Sequence, residues 1–502
     1  IEECTFNYCS KLSTIEFESD SKLQNIGKNA FSYSSIQSIE IPSNAISIEE
    51  GAFYNCKNLA IIKIPKDSKL QNIGKNSFSY SSIQSIRIPS NVINIEECTF
   101  NYCSKLSTIE FDSGSKLQRI CESSFSRSII VSIKIPSAVV VIEDHAFYDC
   151  KNLFAVDITS DSKLQIIGKY AFNATSIKSI TIPPNITEIK EGAFRYCGEL
   201  SFITMHPYSK LLKIEKDAFN TSQIKYIKIP ASVEELKEGW CCCLEKLVKV
   251  EISPDNQHFK MNENKCIIGK TKKEQENFDK LIFAVRDIEE ITIPSYITQI
   301  GSYCFENCTK LTKITYQDDN QIQSIGKRSF SSTSIKHIKI PSNITIIEEE
   351  TFSNSLIESI TIPSNVTIIN EKAFYKCSKL TTIEIPSDSK LQTIGNYAFS
   401  STSIESIKIP SNVNIIGKFA FLDCSKLSII DIPSDSKIQT IGNYAFSPSD
   451  HINDLYNLNN HDKISFLNEA KIAAIRSFGV PSRNNFIEKF VFYSSSIETI
   501  KI

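Results

Sequence analysis

No apolar run in the 502 residues approaches the roughly 18–20 needed to cross a bilayer as a helix. No membrane contact by this segment is therefore expected. Neither sign of charge dominates: 55 Lys+Arg stand against 57 Asp+Glu, for a net charge of -2. That balance argues against a general attraction to nucleic acid or anionic lipid. Histidine is scarce, with His145, His206, His258, His337, His451 and His461 scattered along the chain. No HExxH, GxSxG or glycine-rich phosphate loop is present. A Ser–His–Asp site is recognised by geometry rather than spacing, and with so many serines a chance pairing carries little weight. The chain is expected to be no enzyme and to need no cofactor.

What the chain does have is spacing. One Phe recurs at Phe6, Phe31, Phe53, Phe78, Phe100 and Phe125, and onward through Phe147, Phe172, Phe194 and Phe219. The steps alternate 25 and 22, making a 47-residue double unit. Trp240 takes the next Phe position, and the series resumes at Phe305 and runs to Phe446. Each unit holds an [L/I]-x-x-[I/V]-x-I stretch, such as Leu59, Ile62 and Ile64. Its last two apolar residues alternate with polar ones, as a half-buried strand requires. Proline usually follows at once, as at Pro42, Pro65, Pro89 and Pro136, and stops the strand. A second apolar pair, such as Ile73 with Phe78, suits a turn or a short irregular helix. One unit cannot bury its own apolar edge, whereas stacked units bury a continuous core.

A period of 20–25 residues with L-x-x-I-x-I strands predicts a leucine-rich repeat solenoid. About 19 repeats are expected, with a curved parallel sheet of short strands and with turns and short irregular helices on the other side. The string IPSNVTIINEKAFYKCSKLTTIEIPSDSKLQTIGNYAF (362–399) resembles the BspA-like subclass of leucine-rich repeat surface proteins. The likeness covers about 420 of the 502 residues and recurs in most turns. It departs from the pattern in the Ser-rich short units, which lack the Cys, and in two irregular segments.

The predicted organisation is an array over 1–252, an insertion over 253–286, an array over 287–446, an irregular segment over 447–493 and the start of a further repeat over 494–502. Residues 253–286 carry two apolar runs around a charged turn and read as a projecting β-hairpin. Residues 462–481 (DKISFLNEAKIAAIRSFGVP) read as an amphipathic helix with Leu467, Ala470, Ala474 and Phe478 on one face. The chain opens IEECTF and closes IETIKI, both within a unit, and reads as a piece of a longer protein. Residues 1–17 and 95–111 are identical. A unique site belongs where such copies diverge.

Sixteen cysteines invite a metal or disulfide reading, but eight of them (from Cys9 and Cys56 to Cys424) lie three residues after the repeat Phe. In the regular array their nearest copies stand two turns apart, roughly 10 Å, beyond disulfide reach. Buried, inert thiols are expected there. The pairs Cys4/Cys9 and Cys98/Cys103 and the run Cys241–Cys243 match no paired zinc spacing, so no metal is expected.

The residue between the last two apolar positions of each strand should face outward. That column, from Glu16 to Lys501, holds seven acids, seven bases and five threonines. Such a ladder compensates its own charge and offers nucleic acid no basic groove. One stretch differs: Phe202 and Tyr226 lie side by side in the neighbouring column, with Lys228 and Lys249 close. Exposed aromatics flanked by cations have the composition of a binding hot spot. These four are the expected ligand-binding residues. Asn173, Asn185, Asn220, Asn307, Asn343 and Asn365 begin N-x-S/T sequons and become glycosylation sites if the chain is secreted.

A long repeat array offers a large surface for other proteins. The resemblance implies more: a cell-surface or extracellular adhesin or antigen that binds extracellular-matrix or host-cell proteins. The alternative is a cytoplasmic leucine-rich repeat scaffold or regulator, which the near-zero net charge and the thiol pattern suit equally.

Overall fold

A computed structural model describes residues 1–447 except Ser19, Asn264 and Lys273, together with 486–487, 491, 495, 497 and 499–501. The chain is a parallel β-solenoid of about 18 turns. It divides into two units, Ile1–His258 and Phe259–Ile502. The helix expected over 462–481 lies outside the described residues.

In the first unit two ladders run along the stack. The inner ladder has ten strands of two residues each, from Asn25–Ile26 to Glu235–Leu236, all parallel and all in register. Each but the last contributes one buried residue, such as Ile26, Ile48 and Ile73. The outer ladder is the longer, alternating stretch, and it is knit two by two. Ser38–Glu40 pairs with Ile61–Lys63, Ser85–Ile88 with Thr108–Phe111, and Ser132–Ile135 with Ala155–Ile158. Each pair joins a short unit to a long one, so the 47-residue sequence period reappears as strand pairing. The exception is a four-strand run: Ser179–Ile182, Phe202–Met205, Tyr226–Ile229 and Lys249–Ile252. Its two pairs are bridged at a single registered position, Phe202 opposite Tyr226.

The core is a column of phenylalanine rings. Phe31, Phe53, Phe78 and their successors to Phe219 are fully buried and stack on one another with centroids 5.1–6.0 Å apart. Burying a Phe stabilises by roughly 1.5–3 kcal/mol, and each stacked contact adds about 0.5–1.5 kcal/mol. Beside the rings lies a column of thiols. Cys103 Sγ donates to Phe78 O of the preceding turn at 3.0 Å and meets Ser81 Oγ at 3.4 Å. The same contacts repeat at Cys56, Cys150 and Cys197. This explains why the short units lack the Cys: their Ser or Thr is the thiol's partner. Burial pushes the Cys103 and Cys150 thiols up to about 12 and those of Cys56 and Cys197 up to about 11.

The short irregular helices expected on the far side do not form: among the described residues there is no helix. The connecting segments are chains of turns instead, and hydrogen bonding explains why. Around Phe31, every second N–H goes to the next turn: Asn29 to Glu50 O, Phe31 to Ala52 O, Tyr33 to Tyr54 O. The residues between bond three back in their own turn, as Ala30 does to Gly27 O and Ser32 to Asn29 O. Residues two before and two after each repeat Phe from Phe6 to Phe421 adopt positive φ, as Asn29 (53°) and Tyr33 (59°) do. A left-handed residue every fourth position cannot continue a right-handed helix. The strain persists because bonds to the neighbouring turns fix each residue.

The second unit opens with three antiparallel strands, Phe259–Asn262, Cys266–Gly269 and Lys280–Ala284. The last pairs in parallel with Gln299–Ile300 and so starts an inner ladder. A further inner ladder runs from Ile346–Ile347 to Phe486–Ile487. The outer strands again pair two by two, Glu290–Ile293 with Lys313–Tyr316 and Ser359–Thr361 with Thr382–Glu384. Phe446 N–H donates to Val491 O, and Thr499–Lys501 pairs with Ile429–Asp431. Phe486–Ile487, Val491 and Thr499–Lys501 thus pair with the turn that ends at Phe446.

Candidate binding surface

The strand face of the four-strand run is where the first unit departs from its own pattern. Register sets Ser179, Phe202, Tyr226 and Lys249 in one row and Thr181, Thr204, Lys228 and Glu251 in the next. Phe202 is 61% exposed. Tyr226 is half-buried, and its hydroxyl donates to Glu251 Oε2 at 2.9 Å. Lys249 Nζ stands 5.2 Å from the Tyr226 ring centroid and 2.9 Å from Glu251 Oε1. A cation over a ring is worth roughly 0.5–1 kcal/mol at an exposed site, and here it holds the ring's orientation. Burial and then the Glu251 carboxylate push the Tyr226 phenol above its ordinary range. The hydrogen bond from Lys249, then that from Tyr226, holds Glu251 below the usual carboxylate range.

Phe202, Tyr226 and Lys249 therefore form one registered row. Lys228 belongs to the next row, across from Glu251. The Glu251 carboxylate turns to Lys249 and Tyr226, and among the described residues Lys228 forms no ion pair.

The sequence reading missed a third row, at the residue just after each buried Leu or Ile where the chain enters the strand. Phe154 N–H donates to Val131 O at 3.0 Å, and Lys178 N–H to Phe154 O at 3.2 Å. Phe154 is 44% exposed, and Lys178 Nζ lies 6.0 Å from its ring. Val248, 43% exposed, extends the row beyond Lys225. The signal was available: most other units put Gln, Ala, Ser or Thr at this position, as at Gln37, Ala60, Gln84 and Ser107.

Two rival features are weaker. Tyr8, Tyr33, Tyr54, Tyr80 and Tyr102 form a surface column beyond the core phenylalanines, with centroids 4.6–5.8 Å apart. Arg127 caps it between Tyr102 and Tyr148. Two of these contacts are stacked, so those ring faces cover one another and leave edges to solvent. In the second unit a groove of about 770 Å³ is lined by Tyr316, His337, Ser359 and Glu384 among others. There Ser359 Oγ lies 3.3 Å from His337 Nδ1. The Glu358 carboxylate stands 3.9 Å from His337 Nε2, too far for the hydrogen bond that holds an imidazole in a triad.

The sequons differ in access. Asn173 and Asn220 are buried, and Asn220 Nδ2 donates to Asp217. Asn343 and Asn365 are exposed, and Asn185 and Asn307 are half-buried. Cys4, Cys9, Cys56, Cys98, Cys103, Cys121, Cys150, Cys197, Cys266, Cys308, Cys377 and Cys424 are free thiols.

Stacked parallel strands and a buried Phe column define a leucine-rich repeat solenoid. The profile of the BspA type leucine rich repeat region matches in six copies, over 1–107, 24–154, 155–263, 276–392, 345–469 and 392–502. The chain belongs to this family. Leucine-rich repeat proteins act in protein–protein interaction and are generally non-enzymatic scaffolds. Among solved structures, a leucine rich cell surface protein from Faecalibacterium prausnitzii is similar at 22% identity, covering 82% of this chain and 83% of its own, with a TM-score of 0.43. The pneumococcal vaccine antigen PcpA is similar at 18% identity, covering 89% of both chains, with a TM-score of 0.41. A leucine-rich repeat protein from Bacteroides ovatus is similar at 23% identity, covering 87% and 83%, with a TM-score of 0.34. No curated protein matches the chain in sequence.

Proposed function

We propose that this protein is a non-enzymatic adhesin or antigen, outside the cell or on its surface, that binds extracellular-matrix or host-cell proteins. The partner docks on the strand face between Phe154 and Lys249, with Phe202 and Tyr226 at its centre and Lys228 and Lys249 beside them. The observation that carries this reading is the pair of aromatic residues, Phe202 and Tyr226, registered side by side on the strand face where two strand pairs join. Family membership supports the binding role. Exposed Asn343 and Asn365 and half-buried Asn185 and Asn307 are the sequons open to glycosylation on this reading. Buried Asn173 and Asn220 can be modified only before the chain folds.

Protease shaving of intact source cells, read with an antibody to the array, tests the location. Loss of signal without lysis is expected. Full protection until lysis favours the second reading, a cytoplasmic leucine-rich repeat scaffold. What supports that second reading is the column of free thiols at Cys56, Cys103, Cys150 and Cys197, together with exposed Cys4.

A further inference from the structure

The strand face carries different charge in two parts of the first unit. Over the three pairs between Ser38 and Ile158, the outward column reads Glu40, Lys63, Arg87, Glu110, Lys134, Asp157. That is three acids against three bases, in register and opposite in sign. Over the four-strand run and the residues that enter it, the charged groups are Lys178, Lys225, Lys228, Lys249 and one acid, Glu251. Glu251 is occupied by Lys249 and Tyr226. Among the described residues neither Lys225 nor Lys228 forms an ion pair.

The arrangement in space adds to the composition. Phe202 and Tyr226 occupy the two central strands, with Lys178 before them and Lys225, Lys228 and Lys249 on and after the Tyr226 strand. This is an apolar centre with a cationic rim, the layout of an interface whose core excludes water and whose rim sets partner choice. Four strands at about 4.8 Å spacing extend roughly 15 Å, the length of about five extended residues.

We infer that this face selects an acidic polypeptide: an extended segment with carboxylates at its ends and an apolar or aromatic side chain at its centre. The inference rests on the proposed docking face and names its partner's chemistry. The rings favour polypeptide over a sulfated polysaccharide. A polyanion without apolar side chains engages the lysines alone and leaves Phe202 idle.

The test immobilises the full chain and measures retention of three probes: a random Glu–Tyr copolymer, poly-L-glutamate and heparin. The expected result is tightest retention of the Glu–Tyr copolymer, falling steeply with salt. K225E/K228E should weaken that retention at least tenfold. F202A should reduce the copolymer to the level of poly-L-glutamate. The matched variant K63E/K134E, on the balanced part of the face, should change retention less than twofold. Equal or tighter heparin binding that ignores F202A would overturn the polypeptide assignment in favour of an anionic glycan. Absent copolymer binding, with F202A still weakening attachment to a matrix extract, would overturn the acidic chemistry and leave the docking face standing. Absent copolymer binding with no effect of F202A on matrix attachment would remove both.

Discussion

The three strand pairs of residues 38–158 and the four-strand run of 179–252 share one core and differ on their face. Inside, both stack the same Phe rings, the same thiols and the same two-residue ladder. Outside, the pairs alternate charge and carry mostly small side chains. The run gathers aromatics and lysines and closes the step that the pairs leave open. Repetition thus holds where packing demands it and lapses where only solvent or a partner makes contact. In a duplicated array, such lapses mark the places free to specialise.

The comparison can be broken in the core or sharpened on the face. The largest effect expected is in the core and should be the same in both regions. F125A and F219A should each cost about 3–5 kcal/mol, read by chemical denaturation, because each opens a gap in a fully buried column. A markedly smaller cost in the run would mean that its core is not equivalent.

The thiols give a pH dependence common to both regions. An unfolded chain ionises its thiols near the ordinary value of 9.0, whereas burial holds Cys103 and Cys150 up to about 12. As pH rises from about 9 toward 12, the unfolded state releases protons that the folded state keeps. Stability is therefore full below about pH 9 and falls above it, by about 1.4 kcal/mol per thiol per pH unit. Denaturation at stepped pH should show this fall, and C150A should lessen its slope.

The turns offer a smaller effect. Asn76 adopts φ 54°. N76V should cost about 1–2 kcal/mol, whereas N76G should be close to neutral. Equal tolerance of both would contradict the left-handed turn. On the face, F202A should leave stability within about 0.5 kcal/mol of wild type, since the ring is mostly exposed. The smallest effect is at Glu251. E251Q should move the Tyr226 phenol down toward its ordinary value of 10.0 in an ultraviolet pH titration.

Much of this was legible in the residues. The Phe spacing set the turns, and the alternation after each Leu set the outer strands. Phe202 and Tyr226 could be placed side by side in one column, with Lys228 and Lys249 close, because parallel register follows directly from repeat length. Three things were not legible, and one legible residue was passed over. The turn segments read as helix or turn alike, since periodicity does not record the positive φ at Asn29 or Tyr33. The break of the outer ladder into pairs is a matter of backbone pairing, which side-chain patterns do not encode. Phe154 was overlooked because it sits at the strand entrance, before the alternation begins. The orientation of Glu251 toward its own strand's Lys249 rather than Lys228 is likewise a rotamer choice.

The most direct measurement compares attachment of three purified chains to immobilised extracellular-matrix extract: wild type, F202A/Y226A and I61A/I129A. Ile61 and Ile129 are exposed apolar residues of the paired region. The account predicts at least a tenfold loss for F202A/Y226A and no more than a twofold change for I61A/I129A. Equal losses for both variants, or attachment untouched by F202A/Y226A, would contradict the claim that the four-strand run is where this array binds.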